Sequence, residues 1–423
     1  MTRLKFVHAA DLHLDSPFTG LRTLEPAIAG TLQEATFDAY SNIIELCLSE
    51  RVDALLIAGD IFDGADRSLR AQLKFVDGLN RLSRAGIRSF ICHGNHDPLN
   101  GWEARLAFPE GSHRFAAAVE GIPVFTDAPG RAMVHGISYP QREIRESLVP
   151  HFTAVNPGPF NIGLLHANVD NDPVHDSYAP CTLADLGAAG IDYWALGHVH
   201  TRQVLHGASP TVVYPGNPQG RHPNESGPRG VYIVEVGDAG QVRLEFRAVD
   251  VVRWATLEID VGPLESEQSL IDAIEGEMTR RQEEAEGRSV IFRLALTGRG
   301  RLHAWLNRQG VADDLFDMAN EMPFQGTPFL WCEKIQLQTA PAIDLQQHRR
   351  RSDFVGDLLR LCDESMRNSE ILNELQQSLQ ALYGAGNPGR HLRDHLPSGD
   401  ELVELLGGAQ GICLAELLEE DGS

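Results

Sequence analysis

Five short polar motifs, each directly after an apolar segment of strand-like composition, constrain the fold of this chain more than any other feature. Open α/β sheets gather their chemically active side chains at the carboxyl ends of their strands. Taken singly, each motif also fits an ordinary turn, a buried histidine or an edge strand. Five of them in succession predict one shared site. The residues are Asp11 and His13, Asp60 and Asp63, Asn95, His96 and Asp97, His166, and His198 and His200.

Strand-like and helix-like segments alternate in the first part of the chain. Residues 4–10, 52–58 and 87–92 are apolar runs of strand length, and the segments between them carry apolar residues at helical spacing. This β-α-β-α-β order predicts parallel strands joined by right-handed crossovers.

Shorter strand-like segments follow after residue 120. The candidates are residues 132–137, 162–166, 193–196, 211–214, 231–236 and 242–249. The last two predict a hairpin around residues 237–240. Two sheets packed face to face, with helices outside them, accommodate this many strands. We therefore expect an α/β fold, and specifically a four-layer αββα sandwich.

The length of 423 residues is large for one hydrophobic core and predicts several domains. Residues 254–338 alternate between strand-like and helix-like segments, which is the pattern of a small α/β unit. From residue 344 onwards the pattern is that of helices. We expect a catalytic domain over residues 1–250, a small α/β capping domain over 251–343 and a C-terminal helical region over 344–423.

The charge of the chain is strongly negative. Residues 1–250 carry 20 Lys and Arg against 29 Asp and Glu, and the remaining 173 residues carry 16 against 30, so the net charges are −9 and −14 and the total is −23. This balance excludes a basic nucleic-acid-binding protein of the usual kind. A DNA substrate would need a positive field from metal ions, from local arginines or from a partner protein.

The six cysteines lie far apart and form no C-x-x-C pair, which argues against a disulfide framework and a structural zinc site. No apolar run approaches the length of about 18 residues that indicates a membrane span. The N-terminal segment lacks the pattern of a signal peptide. We expect a cytoplasmic protein with no membrane association.

The residue types in the five motifs indicate a metal centre. Carboxylate and amide oxygens mixed with imidazoles suit Mn, Fe or Zn and leave positions open for water. Asp60 is the natural bridging ligand, because each of its two carboxylate oxygens can bind one metal. A metal pair about 3.5–4 Å apart clamps the attacking and leaving oxygens of a phosphoryl displacement.

The ordered motifs D-x-H, G-D-x-x-D, G-N-H-D, H and G-H-x-H resemble the signature of the calcineurin-like metallophosphoesterases. The resemblance implies the four-layer sandwich of that superfamily and two divalent metal ions, with Mn²⁺ as first choice and Fe or Zn as alternatives. It places one metal on Asp11, His13, Asp60 and His200 and the other on Asp60, Asn95, His166 and His198.

The same resemblance gives His96 a role other than metal binding. It implies that His96 hydrogen-bonds the phosphate and protonates the leaving oxygen. Asp63 lies three residues after Asp60, as in relatives in which a carboxylate orients the catalytic histidine. Such a carboxylate fixes the imidazole tautomer and raises its basicity. The alternatives are a solvated loop acid for Asp63 and a turn cap for Asp97.

Further segments are similar to SbcD-type DNA repair exonucleases, in particular to their bacterial YhaO-like branch. They are residues 13–15, residues 214–221 after the G-H-x-H motif, and the long C-terminal extension. The resemblance implies DNA as the substrate and an SMC-like ATPase that docks on the C-terminal helices. Whether the chain forms a homodimer stays open.

Several residues keep alternative interpretations. An apolar stripe of five residues in the C-terminal region fits either a partner or the protein's own core. It consists of Ile371, Leu372, Leu375, Leu379 and Leu382. Arg221 or His222 is the best further candidate for a substrate-phosphate contact. His93 is expected on the opposite face of its strand, and its role stays open.

Two rival functions remain. One is a small-molecule phosphodiesterase or phosphatase that uses the same site, although the long extension beyond the catalytic region is unusual for such enzymes. The other is a non-catalytic scaffold of the same fold. Scaffolds of this kind tend to lose a metal ligand or the general acid, and every such residue is present here.

Overall fold

The computed structural model describes most of the chain, and it forms two compact units. The described residues are 2–18, 26–64, 68–102, 104, 106–152, 158–170, 178–321, 328–342, 348–384, 397 and 399–420. One unit comprises Met1–Ala255, Arg281–Phe292 and Pro323–Glu333. The other comprises Thr256–Arg280, Arg293–Met322 and Lys334–Ser423.

The first unit contains most of the strands. In chain order they are β1 (Thr2–Ala9), β2 (Ala54–Ala58), β3 (Arg88–Cys92), β4 (Ser112–Arg114), β5 (Glu120–Pro123), β6 (Ala132–Gly136), β7 (Phe160–His166), β8 (Tyr193–Gly197), β9 (Gln203–His206), β10 (Thr211–Tyr214), β11 (Gly230–Gly237) and β12 (Val242–Ala248). Its helices are α1 (Pro26–Glu50), α2 (Leu69–Arg84) and α3 (Leu183–Ala188).

These strands form two sheets. The first has the order β12-β11-β1-β2-β3-β4 and the second the order β5-β6-β7-β8-β10-β9. Strands β1, β2 and β3 are parallel neighbours, which confirms the predicted β-α-β-α-β arrangement. Strands β11 and β12 pair antiparallel, which confirms the predicted hairpin.

The two sheets pack face to face through one apolar layer. Phe6 and Leu56 of the first sheet and Ile162 and Val213 of the second are buried in the same hydrophobic cluster. Side chains alternate between the faces of a strand, so the residues next to these point away from the layer. Burial of this kind contributes about 25 cal/mol per Å² of apolar surface.

Helices and helical turns cover the outer faces of both sheets. Val7 of β1 is buried with Ile44 of α1 and Phe75 of α2. On the other side, Trp194 of β8 is buried with Leu186 of α3, and its indole N–H donates to the Leu186 carbonyl at 3.0 Å. The layers therefore follow the order helix, sheet, sheet, helix, and the predicted αββα sandwich is confirmed.

In the first unit, the elements that periodicity did not predict are short. Strands β4, β5 and β9 have three or four residues and are half-buried or exposed, so no alternation of buried and exposed positions develops. Helix α3 has only six residues, but Thr182 and Asp185 form a capping box at its start. That pair is a sequence signal for a helix start.

Beyond β12 the chain forms the predicted small α/β segment. Its elements are β13 (Val252–Asp260), α4 (Glu267–Glu284), β14 (Ser289–Gly300), α5 (His303–Leu306), α6 (Val311–Glu321) and β15 (Leu330–Pro341). The strands form a sheet of order β13-β14-β15. Helix α6 is an addition to the prediction. The domain boundaries at residues 250 and 343 remain a prediction.

The C-terminal part is helical, as predicted, with α7 (Phe354–Arg367), α8 (Ser369–Gly384) and α9 (Gly399–Glu420). In the apolar stripe of α8, Ile371, Leu372, Leu375 and Leu379 are half-buried. The side chain of Leu382 lies outside the described residues. Within the described part of the chain, no helix has both the length and the apolar character needed to cross a membrane.

Candidate metal centre

All five polar motifs meet at one edge of the two sheets. Asp11 follows β1, Asp60 follows β2, Asn95 follows β3, His166 ends β7 and His198 follows β8. Because the parallel strands end side by side, residues far apart in sequence lie within hydrogen-bonding distance here. The edge is therefore the strand-end site that the motifs predicted.

The backbone leaves the extended conformation at four of the candidate ligands. Positive φ angles occur at Asp11 (53°), His13 (43°), Asp60 (49°) and His198 (106°), none of which is glycine. Each such residue costs about 1–3 kcal/mol, and strain of this kind concentrates at functional sites. The first two loops hold each other, since the Asp11 N–H donates to the Gly59 carbonyl at 3.1 Å and the His13 N–H to the Asp60 carbonyl at 3.0 Å.

Close approach of the loops requires glycine at two motif positions. A Cβ at Gly94 would overlap the Asp60 carboxylate, and a Cβ at Gly197 would overlap the Ala58 carbonyl oxygen. The glycines of G-N-H-D and G-H-x-H therefore serve to bring neighbouring loops together.

One cluster of metal-type ligands consists of Asp11, His13 and His200. The Nε2 atoms of His13 and His200 face each other at 3.1 Å. The Nδ1–H of His200 donates to Glu225 Oε1 at 2.6 Å, so its Nε2 carries a lone pair. Two ring nitrogens directed at each other in this way fit a cation between them.

A second cluster consists of Asp11, Asp60 and His166. The Nδ1–H of His166 donates to the Ala58 carbonyl at 2.9 Å, so Nε2 is the ring nitrogen that faces the other candidate ligands. That nitrogen lies 3.0 Å from Asn95 Oδ1 and 3.3 Å from Asp60 Oδ2. A ring nitrogen that faces these oxygens binds either a proton or a divalent cation, so the arrangement again fits a metal ion.

His198 lies beside the second cluster. Its imidazole centroid is 5.2 Å from that of His166. Its backbone N–H donates to both carboxylate oxygens of Asp11, at 3.0 and 3.2 Å. His198 therefore orients Asp11 through its backbone, whatever its ring contacts.

In the two clusters, burial and neighbouring charges shift the pKa values of the candidate ligands. Burial lowers the pKa of His13 to about 4, which keeps its ring neutral, as a metal ligand must be. Burial also raises the pKa of Asp11 to about 6. For His166, burial acts to lower the pKa, but the Asp60 carboxylate outweighs it and raises the pKa to about 9. For Asp60, burial acts to raise the pKa, and His166 brings it below its usual range.

His96 and Asp63 form a pair at the open side of the site. His96 Nδ1 lies 2.9 Å from Asp63 Oδ1, and the side chain of His96 is 36% exposed. The hydrogen bond to Asp63 raises the pKa of His96. Hydrogen bonds from His13 and His96 lower the pKa of Asp63. The contact expected between Asp63 and His96 is present, so an orienting role for Asp63 has a geometric basis.

Asp97 is a buried clamp between two motif loops. Its Oδ1 accepts from the Gly94 N–H at 2.8 Å, and its Oδ2 accepts from the Ile61 N–H at 3.0 Å and from His93 Nδ1 at 3.0 Å. Asp97 therefore caps the turn from Gly94 to Asp97 and also fixes the loop after β2. His93 is buried and contributes to this clamp.

Replacing Asp97 by alanine is expected to lower the free energy of unfolding by about 2–4 kcal/mol, because two buried backbone N–H groups lose their acceptor. Urea unfolding at a fixed metal concentration measures the change. The matched control is Asp127→Ala at an exposed position, expected to stay within about 0.5 kcal/mol of the parent. Equal stability of the two variants would contradict the clamp.

Three residues make contacts at the site that were not predicted from the sequence. Glu225 binds His200, Ser16 Oγ donates to Asp63 Oδ2 at 2.6 Å, and Arg221 donates to Ser16 and, at 3.3 Å, to Asp63 Oδ2. Arg221 was one of two candidates for a substrate-phosphate contact, and its described contacts are with the protein itself. One feature of the sequence could have indicated Glu225. It is an acidic residue in the glycine- and proline-rich segment that follows the G-H-x-H motif.

Comparison with known protein families agrees with this geometry. The family described as calcineurin-like phosphoesterase matches residues 4–202. The family described as the middle domain of metallophosphoesterase YhaO matches residues 254–340. A Bacillus subtilis protein described as an uncharacterized metallophosphoesterase, YhaO, is 35% identical over 380 residues, which cover 89% of this chain and 91% of that protein.

More distant similarity extends to proteins described by their action on DNA or as nucleases. The DNA double-strand break repair protein Mre11 of Methanopyrus kandleri is 26% identical over 58% of this chain and 57% of its own length. A Bacillus subtilis protein described as one of the subunits of the nuclease SbcCD is 25% identical over 55% of this chain and 66% of its own length.

Proposed function

Because the chain belongs to the calcineurin-like metallophosphoesterases, we propose that it is a two-metal DNA phosphodiesterase, an exonuclease that acts in DNA repair. Membership confirms the resemblance indicated by the motifs, and it makes the protein a phosphoesterase that uses divalent metal ions. The number and identity of the metals, the DNA substrate and the role of each residue belong to the proposal.

The observation that carries the proposal is the pair of overlapping ligand clusters next to an exposed, carboxylate-bound histidine. In the proposal, Asp11, His13 and His200 hold one ion, and Asn95, His166 and His198 hold the other. Asp60 contributes to both, since its Oδ2 lies 3.3 Å from His166 Nε2 and 3.9 Å from His13 Nε2. Mixed oxygen and nitrogen ligands suit Mn, Fe or Zn, and Mn²⁺ is the first choice that the family resemblance implies. When bound, two such ions neutralise the phosphate oxygens and activate water.

His96 supplies the proton to the leaving oxygen. Asp63 holds Nδ1 at 2.9 Å and so directs Nε2–H away from itself, towards the open side of the site. A deoxyribose alkoxide is a poor leaving group, so its departure needs a proton from a positioned acid. The raised pKa of His96 keeps a proton available near neutral pH.

The choice of DNA rests on the relatives and on the extension of similarity beyond the catalytic region. Relatives described as a DNA double-strand break repair protein and as part of a nuclease are similar to more than half of this chain. The chain's net charge of −23 opposes unassisted binding of a phosphate backbone. The metal ions and an SMC-like ATPase partner are then the sources of the positive field.

The C-terminal helices offer a surface for that partner. Phe354 and Leu361 of α7 are 68% and 59% exposed, and Leu405 and Ile412 of α9 are 56% and 68% exposed. Residues seven apart lie on one face of a helix, so each helix presents an apolar pair. We propose that an SMC-like ATPase covers these apolar pairs. Because the C-terminal region is acidic, the surface of the partner around them is expected to be basic.

Purified protein supplied with Mn²⁺ is expected to degrade linear duplex or single-stranded DNA, with the reaction stopped by a chelator. The assay includes a panel of nucleotides and cyclic nucleotides, and it is repeated with a candidate ATPase partner. Turnover of the small nucleotides without any loss of DNA would favour the small-molecule phosphodiesterase. Absence of all hydrolysis, despite bound metal, would favour the non-catalytic scaffold.

A further inference from the structure

One loop, residues 221–225, contacts the metal centre at two places, through His200 and through Asp63. The segment 221–225 follows β10 by a short stretch and precedes β11. Glu225 Oε1 accepts from His200 Nδ1 at 2.6 Å, and Glu225 Oε2 accepts from the Arg221 backbone N–H at 2.7 Å. Both oxygens of the Glu225 carboxylate are therefore engaged, one by a candidate ligand and one by the loop itself.

The Arg221 side chain extends from the same loop to the other end of the site. Its guanidinium donates to Ser16 Oγ and, at 3.3 Å, to Asp63 Oδ2. Ser16 Oγ donates to the same Asp63 oxygen at 2.6 Å. The other Asp63 oxygen binds His96 at 2.9 Å. A continuous chain of hydrogen bonds thus joins His200 to His96 through the 221–225 loop.

The loop is held in place by Arg229, which belongs to neither ligand cluster. The Arg229 guanidinium donates from Nε to the Glu225 carbonyl at 3.2 Å and from Nη1 to Asn217 Oδ1 at 3.0 Å. Arg229 also donates to the His200 carbonyl, and its backbone N–H donates to Asp250 at 3.1 Å. Side chains fixed in this way can hold a neighbour in one orientation at little entropic cost.

We propose that the 221–225 loop is a positioning element, in which Glu225 fixes His200 with Nε2 towards the metal and Arg221 holds Asp63 in the orientation that serves His96. This inference rests on the proposed metal centre. Glu225 and Arg221 touch no reacting atom in it. They act through His200 and Asp63.

Substitutions at Glu225 and at Arg221 are expected to cause different defects. Glu225→Gln keeps an oxygen that accepts from His200 but removes the negative charge, so the ring becomes a weaker ligand. Loss of such a partner typically costs about 10–100-fold in metal affinity. Arg221→Lys keeps the charge, but its side chain is shorter, so its ammonium does not reach the position of Nη1, the one guanidinium nitrogen that donates to both Ser16 Oγ and Asp63 Oδ2. Its metal affinity is expected to stay within about two-fold of the parent, with DNA hydrolysis about 10-fold slower.

Calorimetric titration of the metal-free full chain with Mn²⁺ tests the proposed role of Glu225 without any substrate. Glu225→Gln is expected to weaken one class of Mn²⁺ sites by about 10–100-fold. Glu225→Ala provides a second variant, and a cooperative thermal transition shows that each variant is folded. The matched controls are Glu245→Gln and Arg247→Gln, because these two residues pair with each other at 2.7 Å on β12.

The proposed role of Arg221 is tested by comparing two substrates. Hydrolysis of bis(p-nitrophenyl) phosphate releases a stable anion and does not need an acid, so Arg221→Lys is expected to leave its rate nearly unchanged while DNA hydrolysis falls. An equal loss of hydrolysis rate on both substrates would overturn the role proposed for Arg221. Unchanged Mn²⁺ affinity in both Glu225 variants would overturn the role proposed for Glu225. Failure of the parent chain to bind Mn²⁺ would instead overturn the proposed metal centre and this inference with it.

Discussion

Replacing His96 by asparagine is expected to lower the rate of DNA hydrolysis by about 10²–10⁴-fold while both metal ions stay bound. Asparagine keeps the backbone N–H that donates to Asp60 Oδ1 at 2.9 Å, so the loop and the carboxylate stay in place. It cannot deliver a proton to the leaving alkoxide. The loss therefore appears in turnover, and metal content is unaffected.

The His96 prediction is measured as turnover of linear DNA together with metal content by plasma mass spectrometry. With bis(p-nitrophenyl) phosphate the loss is expected to be much smaller, because its leaving group departs as a stable anion. A matched control is His151→Asn, which changes an exposed histidine that belongs to none of the polar motifs. Full DNA hydrolysis by His96→Asn would show that another group protonates the leaving oxygen.

Replacing Asp60 by asparagine is expected to remove hydrolysis altogether and to empty at least one metal position. Asp60 is 1% exposed, and its carboxylate lies near the Nε2 atoms of both His13 and His166. The amide carries no negative charge, so its oxygen attracts two cations far less strongly than Asp60 Oδ2, the atom that lies near both clusters. The variant loses the group on which both clusters depend.

The Asp60 prediction is measured by the stabilisation that Mn²⁺ confers. A ligand at 100 times its Kd adds about 2.7 kcal/mol to the free energy of unfolding. The parent is expected to gain this amount or more, and Asp60→Asn is expected to lose most of it. Asp127→Asn, at an exposed position, serves as the control. An undiminished Mn²⁺ effect in Asp60→Asn would contradict a bridging role.

The layers of the catalytic region could be predicted because their strands are long enough to show a pattern. Strands β1, β2 and β3 are almost fully buried apolar runs, and the helices between them carry one apolar face. Strands β4 and β9 could not be predicted, since three or four half-buried residues carry no periodicity. Their pairing depends on neighbouring strands that the local sequence does not specify.

The candidate ligands could be predicted because each stands at the end of a predicted strand. Their convergence follows from the parallel order of β1, β2 and β3 and of β7 and β8. Glu225 and Arg221 escaped prediction for the opposite reason. They lie in a loop without a period, and their contacts with His200 and Asp63 arise only from where tertiary packing places that loop.

The positive φ angles at Asp11, His13 and Asp60 were partly foreseeable. A D-x-H pair at a strand end can direct two ligands to one metal only if the chain leaves the extended conformation. Which residues carry the strain depends on contacts such as the hydrogen bond from Asp11 to Gly59, at 3.1 Å, which joins separate loops.

The central claim is that these clusters hold two metal ions on a shared carboxylate. The most direct measurement is anomalous diffraction at the manganese edge from crystals grown with Mn²⁺. We predict two peaks, one among Asp11, His13, Asp60 and His200, and one among Asp60, Asn95, His166 and His198. A single peak, or two peaks that do not share Asp60, would contradict the two-metal centre.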